Sequence, residues 1–217
     1  MEPKVNLPNK IPIFPLSDFI FFPKTSVPLN IFEPRYLEMV NDSIKNKRII
    51  GMVQPQKKIK TINKNKKELY TIGCAGKIIS FNETDDNRIE IILNGISRFK
   101  IVKEIISKKL YREFDVNYEI FKNDSMQSEK KITLLNSKLL LKEIKFFFEK
   151  KNYVLNWNEL ENQNIEQVVK TLCMISPISS EEKQMLLESK NLEDRSNEFI
   201  KIVKTYSTSN FQVNTLQ

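Results

Sequence analysis

The residue types that carry most enzyme chemistry are scarce or badly placed in this chain. None of its 217 residues is histidine, which removes the commonest general base and the commonest zinc ligand together. Its 2 cysteines, Cys74 and Cys173, cannot make a four-ligand site. Each is expected as a small buried core residue, because a free Cys packs as a hydrophobe. A phosphate-cradling loop needs Gly-x-x-x-x-Gly-Lys-[Ser/Thr]. The only Gly-Lys pair is Gly76-Lys77, followed by Ile78, with Thr71 where the first glycine belongs. Asp85 and Asp86 fall in Asn82–Asn87, a stretch that reads as a hairpin connection, where Asp favours turn formation. They lack the ligand spacing of a calcium loop. No catalytic residue, cofactor or metal site is therefore expected. An enzyme acting on a small molecule would need a nucleophile or base that the chain does not offer.

What remains is charge and apolar surface. The net charge is +8, and residues 1–123 carry all of it, with 22 Lys/Arg against 14 Asp/Glu, while residues 124–217 carry 13 of each. Much of the excess lies in Lys57, Lys58, Lys60, Lys64, Lys66 and Lys67, with no acid until Glu68. Such a loop can attract phosphates or an acidic partner, but a run of charge is also what a solvated loop looks like. Phe19-Ile20-Phe21-Phe22 is an unbroken apolar run. As a strand it would turn alternate side chains to opposite faces. Phe19, Phe21 and Phe22 are thus candidates for a surface that binds exposed apolar segments of other chains; packing against the helical half is the competing reading.

These features sit in two differently patterned parts. From Ile11 to Tyr36 prolines punctuate an apolar sequence (Pro12, Pro15, Pro23, Pro28 and Pro34, with Pro8 upstream). Proline fixes φ and removes an amide donor, so β segments here must be short, bent or at a sheet edge. Strand-like segments follow at Ile49–Val53, Leu69–Ala75, Lys77–Phe81, Arg88–Leu93, Ser97–Ile106 and Tyr111–Ile120. They are joined by one helix of about three turns, begun by Pro34 and marked by Tyr36, Met39, Val40 and Ile44 at helical spacing. So many short strands predict a small curled sheet or barrel over residues 7–123. From 124 to 206 the period becomes helical. Ile132–Lys151 and Asn158–Ile175 are helices, Ser179 or Ser180 caps a third after Pro177, and Leu192–Tyr206 forms a fourth. Residues 207–217 read as a polar tail. The start, MEPKVNLPNK, lacks the apolar stretch of a secretory signal. No run reaches the roughly eighteen apolar residues of a membrane span, so a cytoplasmic protein without membrane contact is expected.

Several motifs then fall in one order: Ile31-Phe32-Glu33-Pro34-Arg35-Tyr36, Gly73-Cys74-Ala75-Gly76, and Leu93-Asn94-Gly95-Ile96-Ser97-Arg98-Phe99. Glu182-Lys183-Gln184-Met185-Leu186-Leu187-Glu188 and Asp194-Arg195 follow. Together they resemble the Lon protease N-terminal, substrate-binding domain family from about Leu7 to Tyr206. Lys24, where relatives usually have glycine, and Asn30, where they usually have histidine, are departures.

The resemblance implies an α+β fold: a PUA-like β subdomain with one inserted helix, then a helical bundle. It makes Glu33, Pro34, Arg35, Tyr36, Gly95 and Arg98 hallmark positions, with Glu33 expected to pair with Arg35 or Arg98 and tie the first helix to the sheet. Tyr36 and Phe99 are expected to pack beside that pair. The motor and Ser-Lys protease domains of full-length Lon have no counterpart here, so the resemblance implies a stand-alone, non-catalytic recognition domain for polypeptide segments or a partner protein. PUA-like folds also include RNA binders, which makes RNA on the Lys57–Lys67 loop the alternative.

Overall fold

A computed structural model describes residues 7–57, 68–125 and 134–208. The chain forms two compact units, residues 1–125 and 126–217.

Among the described residues the first unit is built on six strands: β1 Lys10–Pro15, β2 Ser26–Ile31, β3 Ile49–Val53, β4 Ile72–Glu83, β5 Ile89–Ile105 and β6 Arg112–Asn117. Their order is β2-β5-β4-β3-β1-β6, and β6 also pairs with β5. Five strands therefore close on themselves, and β2 is added outside the ring along the first half of β5. All pairings are antiparallel except β1 with β3. The 17 residues of β5 make the closure feasible, because Ile89–Asn94 serve β2 while Lys100–Ile105 serve β6. Inside lies a core of Ile11, Ile13, Ile49, Val53, Ala75, Phe99, Phe114 and Val116.

The prolines fit this plan. Pro28 lies in β2, which pairs with β5 alone, so a missing amide is tolerated there. Pro12 precedes the part of β1 that pairs with β3, and Pro15 closes the strand. Pro34 opens α1 (Pro34–Ile44), whose buried Tyr36, Met39 and Val40 face the sheet unit's interior. The Tyr36 ring stands edge-on to Phe14 at 4.5 Å.

Two expectations about strands are corrected. Phe19–Phe22 is not a strand but an irregular segment leading into a turn at Pro23-Lys24. Gly76 and Gly95, read as interruptions, lie inside continuous strands β4 and β5. Gly95 is needed because the Phe22–Thr25 turn docks on it. Lys24 N–H donates to the Gly95 carbonyl and Gly95 N–H donates to that of Thr25, both at 2.8 Å. A Cβ at 95 would lie 2.0 Å from the Phe22 carbonyl oxygen. In that turn Lys24 has φ 63°, a left-handed conformation that favours glycine.

The second unit is helical: α2 Leu134–Lys150, α3 Trp157–Glu161, α4 Ile165–Ile175, α5 Ser180–Glu188 and α6 Leu192–Thr208. The single helix expected over 158–175 is divided by a break after Glu161, with Asn164 capping α4 through its side chain. Ser179 caps α5, and the Glu182 carboxylate returns the bond to the Ser179 amide. The sheet unit followed by helices is the α+β architecture that the sequence predicts.

Candidate functional site

The hallmark residues separate into two ion pairs. Glu33 and Arg35 meet at 2.7 Å at the start of α1, with side chains 43% and 52% exposed. The Arg35 guanidinium also lies 4.6 Å from the Tyr36 ring centre. Arg98 does not join them. Its side chain is 2% exposed and pairs at 2.8 Å with Asp124, 4% exposed. Nε of Arg98 donates to both Asp124 oxygens, at 3.3 and 2.9 Å, and its backbone amide donates to the same carboxylate. The Phe121 ring covers the guanidinium at 4.3 Å. Arg98 therefore holds the 3-10 stretch Glu119–Ser125 against β5, and the expected tie between Glu33 and Arg98 is replaced by this one. Phe99 is in the barrel core, edge-on to Tyr118, and Gly95 is the docking point of the Phe22 turn.

The helical motifs also resolve into packing roles. Lys183 Nζ donates to the Met174 carbonyl at 3.1 Å, linking α5 to the end of α4. Arg195 Nε donates to the Leu186 carbonyl at 3.1 Å, linking α6 to α5. Tyr206 donates its hydroxyl proton to Glu182 at 2.7 Å. Cys173 lies wholly buried beside the charges of Arg195 and Lys183, and burial pushes its thiol up to about 12. Cys74 is buried in β4. A protonated, inaccessible thiol is not a nucleophile.

The aromatic run fares differently from expectation. Phe21 and Phe22 are core residues, 1% and 0% exposed, and Phe19 alone of the three is partly exposed. Without a strand's alternation, Ile20, Phe21 and Phe22 can all turn inward. Phe21 and Leu93 fill the space over Gly76, where a Cβ would meet both within 2.7 Å.

Exposed apolar side chains lie elsewhere on this unit, around β2, β5 and β4. Ile92 is opposite Pro28 on one side and Ser80 on the other, and both neighbours are exposed. Ile79 occupies the irregularity between Ile78 and Ser80 and is 55% exposed. Phe81, opposite Ile91, and Phe32, one residue past β2, are 44% and 62% exposed. Directly paired side chains share a face and successive ones alternate, so Ile92 lies with Pro28 and Ser80 on one face while Phe81 shares the other with the buried Ile91. Both are held by strand pairing rather than carried on a loop. The sequence signal for this exposure is weak: the residues come from three segments, and only strand pairing decides which of them face outward.

Of the basic loop, Lys57 alone lies within the described residues; Lys58, Lys60, Lys64, Lys66 and Lys67 fall outside them. Lys57 is paired with Asp18 at 2.8 Å. Among the described residues no group of three or more His, Cys, Asp or Glu could hold a metal ion, and no helix is long and apolar enough to cross a membrane.

Comparison with known proteins places these features in a family. A model described as the ATP-dependent protease La (LON) substrate-binding domain matches residues 10–205. Lon protease 2 of Myxococcus xanthus is 25% identical over 141 residues, 65% of this chain and 17% of that protein. The Lon protease of Buchnera aphidicola subsp. Baizongia pistaciae is 25% identical over 207 residues, 94% of this chain and 26% of that protein. This chain thus spans 17% to 26% of the length of these two relatives. Two solved structures share the fold. A Lon N-terminal domain protein from Xanthomonas campestris has TM-score 0.62 at 17% identity, covering 88% of this chain and 97% of that one. The N-terminal domain of Mycobacterium avium complex Lon protease has TM-score 0.58 at 13% identity, covering 90% and 98%. With the family model matched across both units, the chain belongs to the LON substrate-binding domain family.

Proposed function

We propose that this chain is a non-catalytic polypeptide-binding domain that recognises unfolded segments of client proteins and serves protein quality control. Family membership supports the binding of protein substrates. The observation that carries the reading onto this chain is the exposure of Ile92 on the paired strands β2, β5 and β4, with Ile79, Phe81 and Phe32 also exposed on β4 and past the end of β2. Misfolded chains present apolar segments, and an exposed apolar surface of fixed shape is what binds them. The absence of histidine and the burial of both cysteines support the non-catalytic part of the reading.

The test is fluorescence anisotropy of a labelled, permanently unfolded protein titrated with this chain at about 0.15 M salt, where exposed charges are largely screened. Saturable binding, not displaced by unlabelled RNA, is expected. Ile92→Asp with Phe81→Asp should weaken it about tenfold or more, since burying an unpaired charge in an apolar contact is costly. Binding unchanged in the double variant would move the site elsewhere. Displacement by RNA would overturn the reading.

A further inference from the structure

A second feature of the sheet unit is a pocket of about 320 Å³ between the end of α1, the start of β1 and the β5–β6 turn. Its walls carry four cations from three separate parts of the chain: Lys10, Lys47, Arg48 and Lys109. The two acids in the wall are already engaged. Glu113 lies 3.2 Å from both Lys10 and Lys109. Asp42 accepts the Tyr111 hydroxyl proton at 2.8 Å and faces Lys109 at 3.4 Å. The bond from Tyr111 is the leading cause that holds the Asp42 carboxyl below its ordinary range. Lys47 and Arg48, in contrast, have no acidic partner among the described residues and are exposed. The pocket thus keeps a formal excess of two positive charges.

Helix polarity explains part of this, because cations are favoured where α1 ends. It does not explain Lys10 and Lys109, which arrive from β1 and from the turn before β6. Nor does it explain arginine at position 48, where φ is 60°. Glycine or asparagine adopts that conformation at less cost. The backbone there is held by Arg48 N–H to the Ser43 carbonyl at 2.9 Å and Ile78 N–H to the Arg48 carbonyl at 2.8 Å. This placement puts the exposed Arg48 in the pocket's lining.

We infer that this pocket receives a carboxylate of the bound polypeptide, from an acidic side chain or from the chain's C-terminus, with Arg48 and Lys47 as its ligands. The inference rests on the polypeptide-binding reading above. A carboxylate suits the site because a guanidinium offers it two parallel donors. A peptide also supplies amide N–H groups that the wall's carboxylates and the Tyr111 oxygen can accept. A phosphodiester group has no donor to offer those acceptors.

The experiment uses three fluorescein-labelled peptides of one apolar sequence, titrated into the full chain at low and at physiological salt. The first carries internal glutamates and an amidated C-terminus. The second has those glutamates replaced by glutamine and is also amidated. The third has the glutamines and a free C-terminal carboxylate. At least one acid-bearing peptide should bind about tenfold or more tightly than the amidated glutamine peptide, as charge-assisted hydrogen bonds permit. Which one does so identifies the carboxylate's source. The advantage should shrink with salt. It should vanish in Lys47→Gln/Arg48→Gly while binding of the glutamine peptide stays unchanged. Glycine at 48 accepts the positive φ, so this variant keeps its fold, which circular dichroism checks. If all three peptides bind equally, the pocket assignment fails while the polypeptide reading stands. If none binds, both fail. Displacement of the acidic peptide by RNA, lost in the same variant, would replace the carboxylate with phosphate and overturn the inference.

Discussion

Two ion pairs that involve hallmark residues differ in what they do because they differ in burial. The pair of Glu33 and Arg35 stands in water, with both side chains about half exposed, and such pairs contribute about 0–1 kcal/mol. Arg98 and Asp124 are almost fully buried, and removing one partner strands the other charge at a cost of about 3–5 kcal/mol. Asp124→Asn is therefore expected to lower the urea midpoint of the sheet unit strongly, whereas Glu33→Gln shifts it little. Equal losses from the two substitutions would overturn this assignment. Arg98 was legible in the sequence as a residue needing a carboxylate. Its partner was not, because Asp124 lies 26 residues further on, and no spacing rule connects a strand to a 3-10 stretch at that distance. Phe21 and Phe22 misled for a related reason: an apolar run predicts burial, but only three-dimensional placement says which side chains obtain it.

At the scale of elements, legibility followed the range of the forces. Helix signals are local, so α1, the start of α5 and the extent of α6 could be read from proline, serine and a 3.6-residue period. Strands are completed by partners far along the chain. Two long strands were consequently read as four short ones, divided at Gly76 and Gly95, where glycine makes room for Phe21 and for the Phe22 turn. The strand β2 was missed altogether, since Pro28 and the polar Ser26 and Asn30 hide its alternation. The α5 cap offers a quantitative check. Ser179→Ala removes one side of the capping box and should cost about 1 kcal/mol. Glu182→Ala should cost more, because that carboxylate also accepts the Tyr206 hydroxyl proton. Burial first, and Glu182 second, raise the Tyr206 pKa above its ordinary 10.0. The folded state then holds this proton more tightly than the unfolded chain. The stabilisation is fully present below about pH 10 and is lost as pH rises through the raised value. Tyr206→Phe should therefore reduce the alkaline loss of stability, measured as urea midpoints from pH 8 to 11. An unchanged alkaline limb would remove Tyr206 as a contributor.

The molecule as a whole contains a thiol in each unit, and this permits the two units to be followed separately. Cys74 is buried in the sheet unit and Cys173 in the helical one. Neither side chain reaches reagent in the closed state, so alkylation reports opening rather than intrinsic reactivity. For Cys173 the thiol is also protonated well above neutral pH, at about 12, which leaves almost no thiolate to react at pH 8. Arg98→Met breaks a buried pair in the sheet unit alone. If that loss is about 3–5 kcal/mol, and about 1.4 kcal/mol corresponds to a factor of ten, Cys74 should be alkylated about a hundredfold faster or more. Each unit holds its thiol in its own core, so labelling at Cys173 should accelerate far less. Mass spectrometry of the two cysteine peptides, sampled over time at pH 8, reads both rates in one experiment. Equal acceleration at the two cysteines would mean that the chain opens as one cooperative body, in which a pair beneath β5 governs the helices as firmly as the barrel.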